Sequence, residues 1–215
     1  SKKTKNYHFV ILGLTLVFIM RFIPYINNKF IIGSDAGIYK YAFEYGLTRG
    51  DKWIISGEAM GPLFIQVFHF LNSFISIEFM LATLFIFICV AVGIELYFTA
   101  KIYTNINVAR TAIFLYAFSV VQLKSFTLLN YNIIVGLLFM LGSLFFLKKS
   151  ETNKQWLWAV VIITGLTAAI HLPTFALFFI SYLVYSFISP IQKGSYNKKL
   201  FLSNILTEIA ILLTA

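Results

Sequence analysis

The stretch I77-EFMLATLFIFICVAVGIELY-F98 decides the reading of this chain. Its only charges are Glu78 and Glu95, one near each end. As a helix it would rise about 33 Å, enough to cross about 30 Å of hydrocarbon. Strict apolar/polar alternation, the mark of a membrane strand, is absent. The rest of the chain repeats the pattern, with apolar runs at 8–26, 108–127, 131–147, 156–171, 172–189 and 200–215 separated by short polar links. A hydrophobic content of 60%, against 12% charged residues, is far above that of soluble domains. The expected fold is all-α: a polytopic transmembrane helical bundle, one membrane domain over residues 1–215. Ser1 is not an initiator and the last apolar run is cut short at Ala215, which reads as the N-terminal part of a longer protein.

The net charge of +9 does not point to nucleic acid. Most lysines and arginines sit in the links, where they set topology. Lys2, Lys3 and Lys5 put the N-terminus on the cytoplasmic side. Lys101 with Arg110, then Lys148, Lys149 and Lys154, then Lys193, Lys198 and Lys199, mark three more inside links. Cys89 is the sole cysteine, so no intrachain disulfide forms. "SKKTK" before an apolar run lacks a small-x-small cleavage site and reads as a retained first span.

Parity then constrains the segment upstream of Ile77. Between an outside loop at 27–58 and the inside link at 101–110 the chain crosses an odd number of times. The apolar piece "GPLFIQVFHFLNSFIS" (61–76) is therefore expected not to span but to lie in the outer interface, with Gln66, His69 and Asn72 meeting water. Residues 27–76 thus form an outer loop with interfacial helices. The same count makes 156–189 a hairpin of two short spans with "AIHLPT" (169–174) at its outer apex. Pro173 breaks the helix there, since it donates no hydrogen bond and disfavours helical geometry at Leu172. Trp156 and Trp158 read as interface anchors.

Four of the eight acidic residues, Asp35, Glu44, Asp51 and Glu58, fall in the first loop. Within it Ala36, Tyr39, Phe43 and Leu47 recur at helical spacing, with Lys40 and Glu44 paired four apart on another face. The expectation is an amphipathic helix on the outer membrane surface, stopped at Gly46 or Gly50. Asp35 stands at its start, where a carboxylate caps a helix and can still face a cavity. Arg21 interrupts the first span near its outer end; it either snorkels to the interface or contacts a phosphate. His69 reads as a packed histidine. His171 sits at a recessed outer apex, and Lys124, Asn130 and Asn132 head two adjacent spans on the same side.

The order of these features, "GSDAGIYKYA" (33–42), "GPLFIQVFHFL" (61–71), "ELYFTAKIY" (95–103) and "NVARTAIFLYAFSVVQLKSFTLLNYNIIVGLLFMLGSLFFLKK" (107–149), resembles the N-terminal module of the GT-C superfamily over about residues 8–189. These are membrane glycosyltransferases that use polyprenyl-phosphate-linked sugars. The resemblance implies an inverting transfer on the extracytoplasmic side, with Asp35 as catalytic base. It implies a lipid-linked sugar as donor, membrane lipids as surroundings and an acceptor the sequence does not name. His171 and Lys124 would meet the donor's phosphate, with Asn130, Asn132, Arg21 and Glu58 completing the substrate-binding set. Many members carry a second acidic residue in the second outer loop, often a metal ligand; here that region holds Asn130 and Asn132, so no metal and no cofactor are expected. Two other readings fit a polytopic chain: a transporter or flippase, and an assembly subunit for cell-envelope glycans. A transporter would show inverted repeats or broken helices at matched midplane positions, and the sequence shows no such repeat.

Overall fold

The computed structural model describes residues 2–26, 36–46, 61–127, 130–188 and 198–214. These form an all-α bundle, with no strand among the described residues. Helix α1 spans Lys2–Phe22 and α2 Ala36–Tyr45; α3 spans Pro62–Asn72, and α4 runs Ile77–Tyr103. Then follow α5 (Ile106–Phe118), α6 (Val120–Thr127) and α7 (Tyr131–Ser150). The last three are α8 (Trp156–Ile170), α9 (Leu172–Ile188) and α10 (Lys198–Thr214). Among the described residues three helices are long and apolar enough to cross a membrane, and a fourth if α5 and α6, bent by 50°, count as one span. Outward faces carry Leu115, Ile162, Leu177 and Ile180 in the open, as a lipid-facing surface requires.

Side-chain pairs fix the helix directions. Arg110 lies over Phe9 and Gly13 meets Ile113, so α1 and α5 run parallel. Phe18 contacts Phe87 while Gly93 faces Leu14, so α4 runs against α1. Tyr131 bonds the Leu81 carbonyl, and Thr99 and Tyr103 bond those of Leu141 and Leu144, so α7 is parallel to α4. Trp156 stacks on Phe146 and Gly136 meets His171, which turns α8 back along α7. Lys101, Arg110, Lys148, Lys149 and Lys154 therefore share one end of the bundle. The α2–α3 region, the head of α7 and the apex at His171 share the other. The gathering of these lysines and Arg110 at one end agrees with the parity count.

Helix α3 does not cross the bundle. At 11 residues it rises about 16 Å, and both of its ends stay at the His171 end. Gly61 at its start donates to the Ile170 carbonyl at 2.8 Å. His69, one turn from its finish, donates through Nδ1 to the Phe43 carbonyl at 2.8 Å. That contact matches the reading of His69 as a packed histidine, though part of the ring stays exposed: Nδ1 covers an orphan carbonyl in the last turn of α2, which ends at Gly46 with φ +59°. The apolar face of α2 departs from the surface-lying reading. Phe43 stacks on Phe68, and Tyr39 and Phe43 both touch Phe64, so α2 buries its stripe against α3.

Candidate functional site

Four segments meet at the His171 end, each held by a different device. Helix α8 ends at Ile170 and α9 begins at Leu172, leaving a one-residue break at His171. Pro173 falls in the first turn of α9, where its missing N–H would have been unpaired anyway. His171 caps that turn: its Nδ1 accepts the Thr174 backbone N–H at 3.3 Å and lies 2.6 Å from the Thr174 hydroxyl. A ring protonated on Nε2 satisfies both contacts, so Nε2–H is the donor it can offer a ligand. The carbonyl freed on the other side of the break, that of Ile170, is taken by Gly61.

Gly61 has no substitute there. A Cβ at this position would lie 1.8 Å from the Ala169 carbonyl oxygen, so only glycine lets α3 approach the broken end of α8. The third device is Gly136 on α7, packed against the His171 Cβ and Thr174. One turn earlier on the same helix, Asn132 is 4% exposed and its Oδ1 accepts the Tyr39 hydroxyl at 2.9 Å. Tyr39 belongs to the first turn of α2, and Asp35 immediately precedes that helix in sequence. The head of α2, the head of α7, the α8–α9 break and the start of α3 thus form one contiguous polar patch.

A second buried network stiffens the wall beside it. Met80–Leu84 form a π turn in α4, and the hydroxyl of Tyr131 donates to the Leu81 carbonyl within it at 2.8 Å. Tyr131 lies flat on Phe85 with ring centroids 3.8 Å apart, and its oxygen is 3.3 Å from that of Tyr25. A π turn shifts the register of every later side chain on the helix, and here an aromatic residue of α7 covers the carbonyl it loosens.

Of the residues expected to form the site, Asn132 and His171 come together through α7. Asn130 heads α7, its backbone N–H donating to the Ser125 carbonyl at 2.9 Å. Lys124 is exposed on α6, next to Ser125. Asp35 and Glu58, with the rest of 27–35 and 47–60, lie outside the described residues, so the base role and any cavity beside Asp35 lie outside them too. Arg21 departs from the snorkelling reading. It is 0% exposed, and its Nη1 and Nη2 donate to the Ala117 and Tyr116 carbonyls at 2.8 and 3.0 Å, with the guanidinium carbon 4.6 Å from the Tyr116 ring centre. The helix α5 ends at Phe118 and bends, which orphans carbonyls in apolar surroundings; a cation inside the bundle satisfies two of them. Both terminal nitrogens are thereby engaged in holding the bend.

Lys40 also departs from its expected partner. It meets Glu78 at 3.5 Å instead of Glu44, because docking α2 on α3 brings it to the start of α4. Tyr39, Gly61, Gly136 and Thr174 were not singled out as site residues. Two of them had legible signals: Gly61 precedes a proline at a helix start, and Thr174 stands three residues after a histidine at a break. Among the described residues no three His, Cys, Asp or Glu side chains come close enough to hold a metal ion. Set against protein-family models, curated protein sequences and solved structures, the chain finds no match.

Proposed function

We propose that the chain belongs to an integral membrane glycosyltransferase of the GT-C type, taking its sugar from a polyprenyl-phosphate donor on the extracytoplasmic side. One observation carries this reading: the Tyr39–Asn132 hydrogen bond. It pins the first turn of α2, directly after Asp35, to the head of α7, which also packs against His171. In this reading the carboxylate adjacent to α2 in sequence works with the His171 ring, which has an Nε2–H to give. That pairing suits a reaction needing a proton acceptor for an alcohol and a donor for a departing phosphate.

In the proposed step the acceptor hydroxyl loses its proton to the Asp35 carboxylate as its oxygen bonds to the anomeric carbon. The bond from that carbon to the phosphate oxygen breaks, polyprenyl phosphate leaves with the electron pair, and configuration inverts. His171 Nε2–H stabilises charge gathering on the leaving phosphate. Asp35→Asn in the full-length protein should then lower transfer from a polyprenyl-phosphate sugar by at least about a hundredfold, in line with general-base contributions, while the protein folds as before. Transfer at wild-type rate would end the catalytic assignment.

A further inference from the structure

The lysine end of the bundle holds a cleft that the proposed chemistry does not use. Between α8 and α10 a groove of about 350 Å³ is lined by Lys154, Leu157, Trp158 and Val161 on one side and Ser203, Leu206, Thr207 and Ala210 on the other. Leu157, Trp158 and Val161 share one face of α8, with Lys154 in the turn before it, and the other four share one face of α10, so the groove runs along both axes for about 10 Å. Its polarity is graded. Lys154 and Ser203 come first along the two lining segments and Val161 and Ala210 last.

The charges near Lys154 resolve into a paired set and a remainder. Glu151, which borders a smaller cleft beside the groove, is bound by Lys148 and by the Tyr185 hydroxyl at 3.4 Å. Lys149 lies over the Phe145 ring, away from the groove. Lys154 has no ion-pair partner among the described residues, and Lys198 begins α10 close by in the chain. Among the described residues the groove therefore presents Lys154, a cation with no ion-pair partner, beside an apolar slot with an exposed tryptophan on its wall. That charge complements an anionic head on an alkyl chain.

We propose that the α8–α10 groove binds an anionic phospholipid of the surrounding membrane, its phosphate at Lys154 and the Ser203 hydroxyl, and the start of one acyl chain along Trp158, Val161 and Ala210. A basic pocket between membrane helices is a recurring lipid headgroup site. The volume is at the small-molecule end of binding clefts, about 300–1,000 Å³, enough for a head and the upper part of one chain.

The test uses purified full-length protein in detergent, titrated with phosphatidylglycerol or with phosphatidylcholine of the same chains, and read by native mass spectrometry. Phosphatidylglycerol should be retained at least fivefold more tightly than phosphatidylcholine. Lys154→Ala should weaken it about fivefold, the weight of one lysine near an anionic surface, and Lys154→Glu more. Lys149→Ala, at the same end but off the groove, should leave it unchanged. Equal retention of the two lipids, equal loss in the Lys149 variant, or displacement by millimolar glycerol phosphate would each overturn the proposal. So would occupation of the groove by a later segment of the full-length chain.

Discussion

The two ends of the bundle use the same helices in opposite ways. At the His171 end, among the described residues, carbonyls at four helix ends or irregular turns are covered by a residue from another element: Gly61 on Ile170, His69 on Phe43, Tyr131 on Leu81, Arg21 on Tyr116 and Ala117. At the lysine end, Tyr103 and Tyr185 still reach Leu144 and Glu151 across helices, but more of the polar groups are satisfied within their own segment. Thr152 bonds Lys149, Ser150 bonds Leu147, Asn105 caps its own helix and Lys148 pairs with Glu151 three residues on. The first kind of end is specific and rigid, since each contact ties distant segments together. The second leaves helices able to part, and the α8–α10 groove opens there. A site that must hold groups in fixed relation belongs at the first end. A surface that meets interchangeable lipid can sit at the second.

The comparison can be broken most sharply at Gly61. Gly61→Ala drives a methyl into the Ala169 carbonyl, where the obstacle is backbone and cannot swing aside. It should cost about 3 kcal/mol, the upper range for overpacking, read as a lowered unfolding midpoint in detergent; a cost below about 0.5 kcal/mol would mean that α3 docks loosely. Next comes Tyr39→Phe, which removes the hydroxyl bonded to Asn132 and keeps the ring among Phe43, Phe64 and Tyr131. About 1 kcal/mol is expected, with transfer activity falling further than stability if α2 is positioned by this bond. Smallest is Glu151→Gln at the lysine end. Its ion pair is part-exposed and local, so screening leaves about 0.5 kcal/mol or less. Should Glu151→Gln cost as much as Tyr39→Phe, the two ends would not differ in kind.

An aromatic cluster fills the interior of the rigid end. Tyr39, Phe43, Phe64, Phe68, Phe85 and Tyr131 are all buried and form a connected chain of ring contacts. Rings fill volume with few rotatable bonds, and the tyrosines add a hydroxyl that reaches a carbonyl or amide. At the rim, Lys40 and Glu78 form an ion pair and are each more than half exposed.

What the chain alone determined were properties local in sequence. The spans follow from runs of apolar residues; the sharing of one end by the lysine links follows from counting crossings. The non-spanning α3, the α2 helix from Ala36, the stop at Gly46 and the break at Pro173 were all legible, because length, spacing and missing donors act within a few residues. Asn132 and His171 were legible as a pair on one end for the same reason. Only the tertiary structure decided what covers each exposed backbone group. Tyr39 and Asn132 are 93 residues apart, Arg21 and Ala117 are 96, and no pattern within either segment names the other. Arg21 shows why this matters. A lone cation in a span has two ways to escape hydrocarbon, reaching out to water or finding carbonyls within, and that choice depends on where a different helix happens to end.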